Sequence, residues 1–146
     1  MNQQDDSRET AELAGQLRLA VTRLARLMRQ QTDTGLSPTL LAALATIESC
    51  GPLTLGELAS REQVAPPTIT KAVGGLEDQN LVARTVDPGD RRVARVEITP
   101  EGRRLLERSR TLKNAWLARR LASLTAEDRA RLVAAVDALE RLAERP

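Results

Sequence analysis

Between residues 54 and 99 the apolar spacing changes from steps of three and four to steps of two, which constrains the fold more than any other feature. Thr54 with Glu57 three residues later forms a capping-box pair, and it opens a short helix, LGELASRE, that buries Leu55, Leu58 and Ala59. The link Gln63-Val64-Ala65 leads to Pro66-Pro67, a pair tolerated only in a first helical turn. The helix that follows, to about residue 79, carries Ile69, Ala72, Val73 and Leu76 on one face. Gly74-Gly75 weaken it by roughly 1 kcal/mol each relative to Ala, so close approach of a second helix or of a ligand is expected there. Residues 81–86 and 93–98 then read as two strands, and Asp87-Pro88-Gly89-Asp90 between them has turn chemistry.

The flanks are helical. Leu13, Leu17, Val21, Leu24 and Met28 mark one stripe over residues 8–30, and Ser37-Pro38 starts a helix to about residue 49 with Leu40, Leu41, Leu44 and Ile47. Thr99-Pro100-Glu101 starts a long helix with Leu105, Leu106, Leu112, Trp116 and Leu117 in line. Thr125 opens a last helix with Leu132, Val133, Val136, Leu139 and Leu142. The expected order is four helices, two strands and two helices, a mainly α chain with a small β-wing and no repeat or linker.

Composition narrows the chemistry. The 146 residues include no His, Phe or Tyr, one Trp and one Cys, so the core must be aliphatic. Imidazole acids, bases and ligands are absent, and the usual catalytic and zinc constellations go with them. We therefore expect no enzyme activity, cofactor or metal. MNQQDDSRET has no apolar core of the kind a signal peptide needs, and no apolar run approaches membrane-spanning length. A single Cys and no export signal point to the cytoplasm.

The net charge is only +2, yet Arg84, Arg91, Arg92 and Arg95 stand in and around the hairpin against Asp87 and Asp90. Helix, turn, helix and basic hairpin form a shape that fits duplex DNA, with a helix for the major groove and an arm for the minor groove. Away from its apolar face the second helix of the pair offers Pro67, Thr68, Thr70, Lys71 and Gly74. Lys71 can reach guanine O6 and N7, and the Thr methyls or Pro67 can meet a thymine methyl. Arg84 and Arg95 are expected on phosphates. An ordinary solvated helix face and a hairpin kept soluble by arginine are the competing readings.

Over roughly residues 11–142 the chain resembles the MarR family of bacterial transcription regulators. The most specific pieces are LGELASREQVAPPTITKAVGGLEDQNLVAR and PGDRRVARVEITPEGRRLL. The resemblance implies a single domain over residues 1–146: a winged helix-turn-helix at 37–99, with dimerisation helices at 8–34 and 100–146. It implies a homodimer on double-stranded DNA, most often a repressor on a pseudo-palindromic operator that releases it on binding a small-molecule effector. Asp90, Arg91 and Arg92 match the family's D-x-R signature, in which the Asp and the second Arg brace each other and that Arg enters the minor groove. Lys71 stands where the family often has a base-contacting Arg. Ser37 and Thr39 begin a helix that in the family touches the DNA backbone, and Ser60 and Arg61 are similar phosphate candidates. An effector pocket is implied only by the resemblance, and Leu17, Met28, Leu41 and Leu44 near it read first as core.

Two departures stand out. Ala65 replaces a frequent capping Ser, and Gly74-Gly75 replace longer polar side chains, so reading is expected to rest on Thr68, Lys71 and Arg92. The apolar surface of the terminal helices, with Leu13, Leu17, Trp116, Leu117, Leu121, Val136 and Leu139, suits a second copy of the chain. Cys50 is expected to be a small buried apolar residue rather than an oxidant sensor, since no His activates it and no second Cys resolves it. An architectural DNA-binding protein without effector and a winged helix used to bind protein remain as alternatives.

Overall fold

Polar caps decide where most helices begin. The computed structural model describes residues 3–144. Its elements are α1 (Gln3–Arg29), α2 (Pro38–Cys50), α3 (Leu55–Glu62), α4 (Pro66–Asp78), β1 (Val82–Val86), β2 (Ala94–Ile98), α5 (Pro100–Ala122) and α6 (Ala126–Ala143). This is the mainly α order with a two-stranded wing that the sequence predicts. Two compact units are built from it: residues 32–111 form the winged unit, and the terminal unit takes the chain up to residue 31 and from residue 112 on. The winged unit thus includes the first half of α5.

In the winged unit Ser37 accepts from the Leu40 N–H at 3.3 Å and starts α2, which Gly51 ends at φ 72°. The Thr54–Glu57 capping box closes in both directions: Thr54 N–H donates to Glu57 Oε2 at 2.9 Å, and Glu57 N–H to Thr54 Oγ1 at 3.1 Å. Gln63, left-handed at φ 53°, ends α3 and turns the chain into α4. The end of α4 is tied off by Asn80, also left-handed. Asn80 N–H donates to Glu77 O at 2.9 Å and Leu81 N–H to Leu76 O at 3.0 Å, a Schellman arrangement that aims the chain into β1.

β1 and β2 pair antiparallel from Val82↔Ile98 to Val86↔Ala94. Leu53 adds a short third edge, giving its N–H to Val96 O at 3.0 Å and receiving the Val96 N–H at 2.7 Å. The core lies where these elements meet. Leu44, Ile47, Leu58, Ile69, Val73, Leu76 and Val96 are fully buried, with Leu81, Val82, Ile98 and Leu106 around them. Leu44 is therefore core.

α5 starts at a crowded joint. Thr99 Oγ1 accepts from Gly102 N–H at 3.1 Å and donates to Asn80 O at 2.7 Å. Gly102 lies so close to β1 that a Cβ there would stand 2.3 Å from Leu81 O and 2.7 Å from Ile98 Cγ1.

The terminal unit is built differently. α6 buries no residue, and its apolar side stays open: Val133 is 75% and Leu142 71% exposed. Val136, Leu139 and, in α1, Leu13 are exposed as well, while Leu17, Trp116, Leu117 and Leu121 are half-buried. The α5–α6 turn is held by the Arg129 guanidinium, which donates to Leu124 O at 2.5 Å, a cation on a helix C-terminus.

Some expectations change. α1 starts at Gln3 rather than at residue 8. Leu112, expected on the buried line, is 52% exposed, and Ala94 is exposed because it lies on the part of the wing beyond the core. Leu55 is half-buried. Cys50, expected inside, is exposed at the end of α2, with Ser49 Oγ at 3.7 Å from its sulfur.

Candidate nucleic-acid interface

α4 turns its apolar side inward through Ile69, Ala72, Val73 and Leu76, so Pro67, Thr68, Thr70 and Lys71 are left facing solvent and Gly74 half-exposed. Thr70 gives its hydroxyl proton to Pro66 O at 3.0 Å, which leaves its oxygen to accept. Lys71 is exposed and has no ion-pair partner among the described residues. The two glycines differ. A Cβ on Gly75 would stand 3.1 Å from Leu40 Cδ2, so packing against α2 explains that one, whereas Gly74 has open space beside it.

The N-terminus of α4 carries few free donors. Helices leave their first N–H groups unpaired. Here Pro66 and Pro67 have none, Thr68 and Ile69 turn theirs back to Ala65 O at 2.9 and 3.3 Å, and Ala65 provides no side-chain cap. Elsewhere in the unit Ser37 is committed to its cap, while Thr39, Ser60 and Arg61 are exposed.

At the wing tip Asp90 grips Arg92 three times. Its Oδ1 accepts the Arg92 backbone N–H at 3.0 Å and Nε at 3.1 Å, and its Oδ2 accepts Nη2 at 3.3 Å. The bracing implied by the resemblance is thus present in the geometry. The Arg92 side chain is nonetheless 90% exposed, so the brace orients the guanidinium without hiding it. Arg91 beside it is exposed and unpaired among the described residues.

Arg84 and Arg95, expected on phosphates, lie on the strands and pair with carboxylates inside the unit. Arg84 stands opposite Val96, on the strand face that carries Val82 and Ile98, and its Nε pairs with Glu77 of α4. Arg95, opposite Thr85, donates Nε to Asp87 Oδ2 at 2.9 Å and Nη1 to Glu57 Oε2 at 3.3 Å. Both arginines are already engaged by carboxylates. The wing's charges alone do not reveal these pairs, because Glu57 lies 38 residues from Arg95 and Glu77, though only 7 from Arg84, is on a helix rather than on the wing.

These contacts hold three carboxyls below the ordinary carboxylate range. Glu57 is lowered first by the Thr54 N–H and then by the Arg95 and Arg61 charges. Asp87 is lowered first by the Arg95 guanidinium and then by the Gly89 N–H, and Asp90 by the side chain and N–H of Arg92, against repulsion from Asp87. A carboxyl with a lowered folded value stabilises above its unfolded value, and that stabilisation is lost as pH falls through the folded one. The Gly89 and Arg92 amide resonances should therefore hold their positions from neutral pH down to about pH 4 and shift only below it. A wing transition near neutral pH contradicts the assignment.

Among the described residues no helix is long and apolar enough to cross a membrane, and no cluster of three His, Cys, Asp or Glu side chains is placed to hold a metal.

The sequence profile of the MarR family matches residues 36–94. Over 135 residues the chain is 37% identical to a helix-turn-helix transcriptional regulator of Mycobacterium bovis, covering 92% of this chain and 94% of that one. It is also 37% identical over 94 residues to MdtR, a helix-turn-helix transcriptional repressor of Bacillus subtilis, covering 64% of this chain and 61% of MdtR. The solved structure of a MarR family protein from Bacillus stearothermophilus matches it with a TM-score of 0.82 at 28% identity, with 99% of both chains covered. A winged helix whose α4 turns Pro67, Thr68, Thr70 and Lys71 to solvent, joined to likenesses that cover nearly the whole chain, places it in the MarR family of transcriptional regulators, to which it belongs.

Proposed function

We propose that the chain acts as a homodimeric repressor of a pseudo-palindromic operator, released by a small-molecule effector. The observation that carries the DNA reading is the pairing of two outward-facing surfaces on one unit. Thr68, Thr70 and Lys71 face outward on α4, and a braced but open Arg92 stands at the wing tip. Lys71 and the threonines read base edges in the major groove, with Pro67 against a thymine methyl and Gly74 admitting close approach. Arg92 enters the adjacent minor groove with Arg91 beside it. Thr39, Ser60, Arg61 and the Ser37 turn lie on the phosphates. The repressor assignment draws on the likeness to MdtR.

Dimerisation is supported by the open apolar side of α6 and by Leu13 on α1. Leu17, Trp116, Leu117, Leu121, Val136 and Leu139 join the same interface. Two copies place two recognition helices about 34 Å apart, one turn of duplex. An effector works by binding better to a dimer whose helices are wrongly spaced, and it lowers affinity by that difference.

Selection of bound duplexes from a random pool, with and without candidate effectors, tests the reading. A palindromic consensus with two half-sites is expected. Binding without preference favours an architectural protein, and no salt-dependent binding at all favours a protein-interaction module. Val136→Glu together with Leu139→Glu should yield a monomer by light scattering, because two carboxylates buried in an apolar interface cannot be hydrated. The same variant should lose operator binding by more than about a hundredfold, since one half-site contact remains. A dimer in this variant removes α6 from the interface.

A further inference from the structure

Arg95 joins three parts of the winged unit. It sits on β2, one residue before Val96, which exchanges both its backbone hydrogen bonds with Leu53. Its Nε reaches Asp87 at the start of the wing turn, and its Nη1 reaches Glu57 in the first turn of α3. Glu57 Oε2 also takes the Thr54 N–H, so one carboxylate oxygen serves both the helix cap and the wing. The Arg95 side chain is 33% exposed, against 90% for Arg92. Two carboxylates around one guanidinium neutralise the Arg95 charge, with Arg61 acting on Glu57 from outside the pair, so Arg95 attracts phosphate less than the open Arg92 does.

We propose that Glu57, Arg95 and Asp87 form a latch that fixes the wing against the start of α3, so that Arg95 sets DNA specificity by positioning Arg92 and does not itself bind phosphate. This rests on the DNA reading proposed above. Two backbone bonds to Leu53 anchor β2 at its middle residue, Val96, but the two-stranded ribbon beyond them has no third strand to limit its twist. The latch removes that freedom at the base, and the Asp90 brace removes it at the tip. The wing guanidinium then meets the minor groove at one distance from α4, and only duplexes with the matching groove geometry satisfy both.

A phosphate-binding Arg95 and a positioning Arg95 predict different results. Three proteins suffice: wild type, Arg95→Gln and Glu57→Gln. Gln at 57 keeps one oxygen for the capping box while it removes the charge and turns the second oxygen into an NH2 donor. The probes are a duplex recovered by random selection with wild type and a scrambled duplex of the same length. Long-range charge effects change both affinities together, so the ratio of the two isolates wing placement. The latch predicts that both variants lower the selected-to-scrambled ratio by about fivefold, the scale of an exposed charge network, and that Arg95→Gln leaves the salt slope unchanged. It also predicts faster hydrogen exchange at the Leu53, Asp87 and Val96 amides in both variants, a readout independent of DNA.

A salt slope reduced by about 0.9 in Arg95→Gln, with Glu57→Gln keeping the wild-type ratio, makes Arg95 a phosphate contact and overturns the proposal. Unchanged exchange at the three amides overturns it as well. If wild type shows no preference between duplexes, sequence reading is what has failed, and the exchange measurement alone decides the latch.

Discussion

Arg92→Ala should weaken binding to the selected operator by at least about tenfold at fixed salt, the scale of one good groove contact. The expectation rests on geometry as well as charge. Asp90 holds both the Arg92 backbone N–H and its guanidinium, so the side chain is ordered before DNA arrives. An arginine otherwise loses roughly 2 kcal/mol of rotamer freedom when fixed, and a braced one has lost part of it already. Removing Arg92 also leaves Asp90 as an unpaired negative charge at the wing tip, which adds repulsion to the lost contact. Arg92→Lys keeps the charge but not the fork that Asp90 grips, so it should recover little. The salt slope of Arg92→Ala should fall by about 0.9, opposite to the unchanged slope expected for Arg95→Gln. Wild-type affinity in Arg92→Ala takes the wing tip out of the interface.

Gly102→Ala should destabilise the winged unit by about 2–3 kcal/mol, which for a chain of this size lowers the melting temperature by roughly 5–15 °C. The methyl would stand 2.3 Å from Leu81 O, a backbone carbonyl that accepts the Thr99 N–H at 3.0 Å. Relief requires moving the first turn of α5 away from β1, which breaks the joint between Thr99 and Asn80. Gly74→Ala supplies the comparison. Nothing lies within 4 Å of its new methyl, so helix propensity alone should raise stability by about 1 kcal/mol. A Gly102→Ala protein that melts with wild type shows that α5 is not seated this closely.

What the sequence made legible was local. Ser37-Pro38, the Thr54–Glu57 box and Thr125 announce their helices because capping acts over three residues, and the structure closes each of these caps. Asp87-Pro88-Gly89-Asp90 announces its turn for the same reason. The Leu53 edge was not legible, since one bridged residue has no period to read. Gln63 and Asn80 were not either, because their left-handed backbone is imposed by helix ends packing on a core rather than by glycine. The partners of Arg84 and Arg95 depend on which strand face each residue takes and on which helix passes beneath it. That is tertiary information. α1 begins five residues before its expected start at residue 8 because acidic residues in a first turn favour a helix without adding to any stripe.

The missing donors at the start of α4 bear on competition in a crowded solution. A helix N-terminus with free amides is a ready seat for sulfate, inorganic phosphate or a nucleotide. Pro66, Pro67 and the inward-turned N–H groups of Thr68 and Ile69 offer no such seat. Small anions at millimolar levels therefore find nothing to occupy at the tip of this helix. On the function proposed above, anion recognition falls to side chains spread from α4 to the wing, which only a polymer spans at once, so the surface would discriminate a nucleic acid chain from its own monomers.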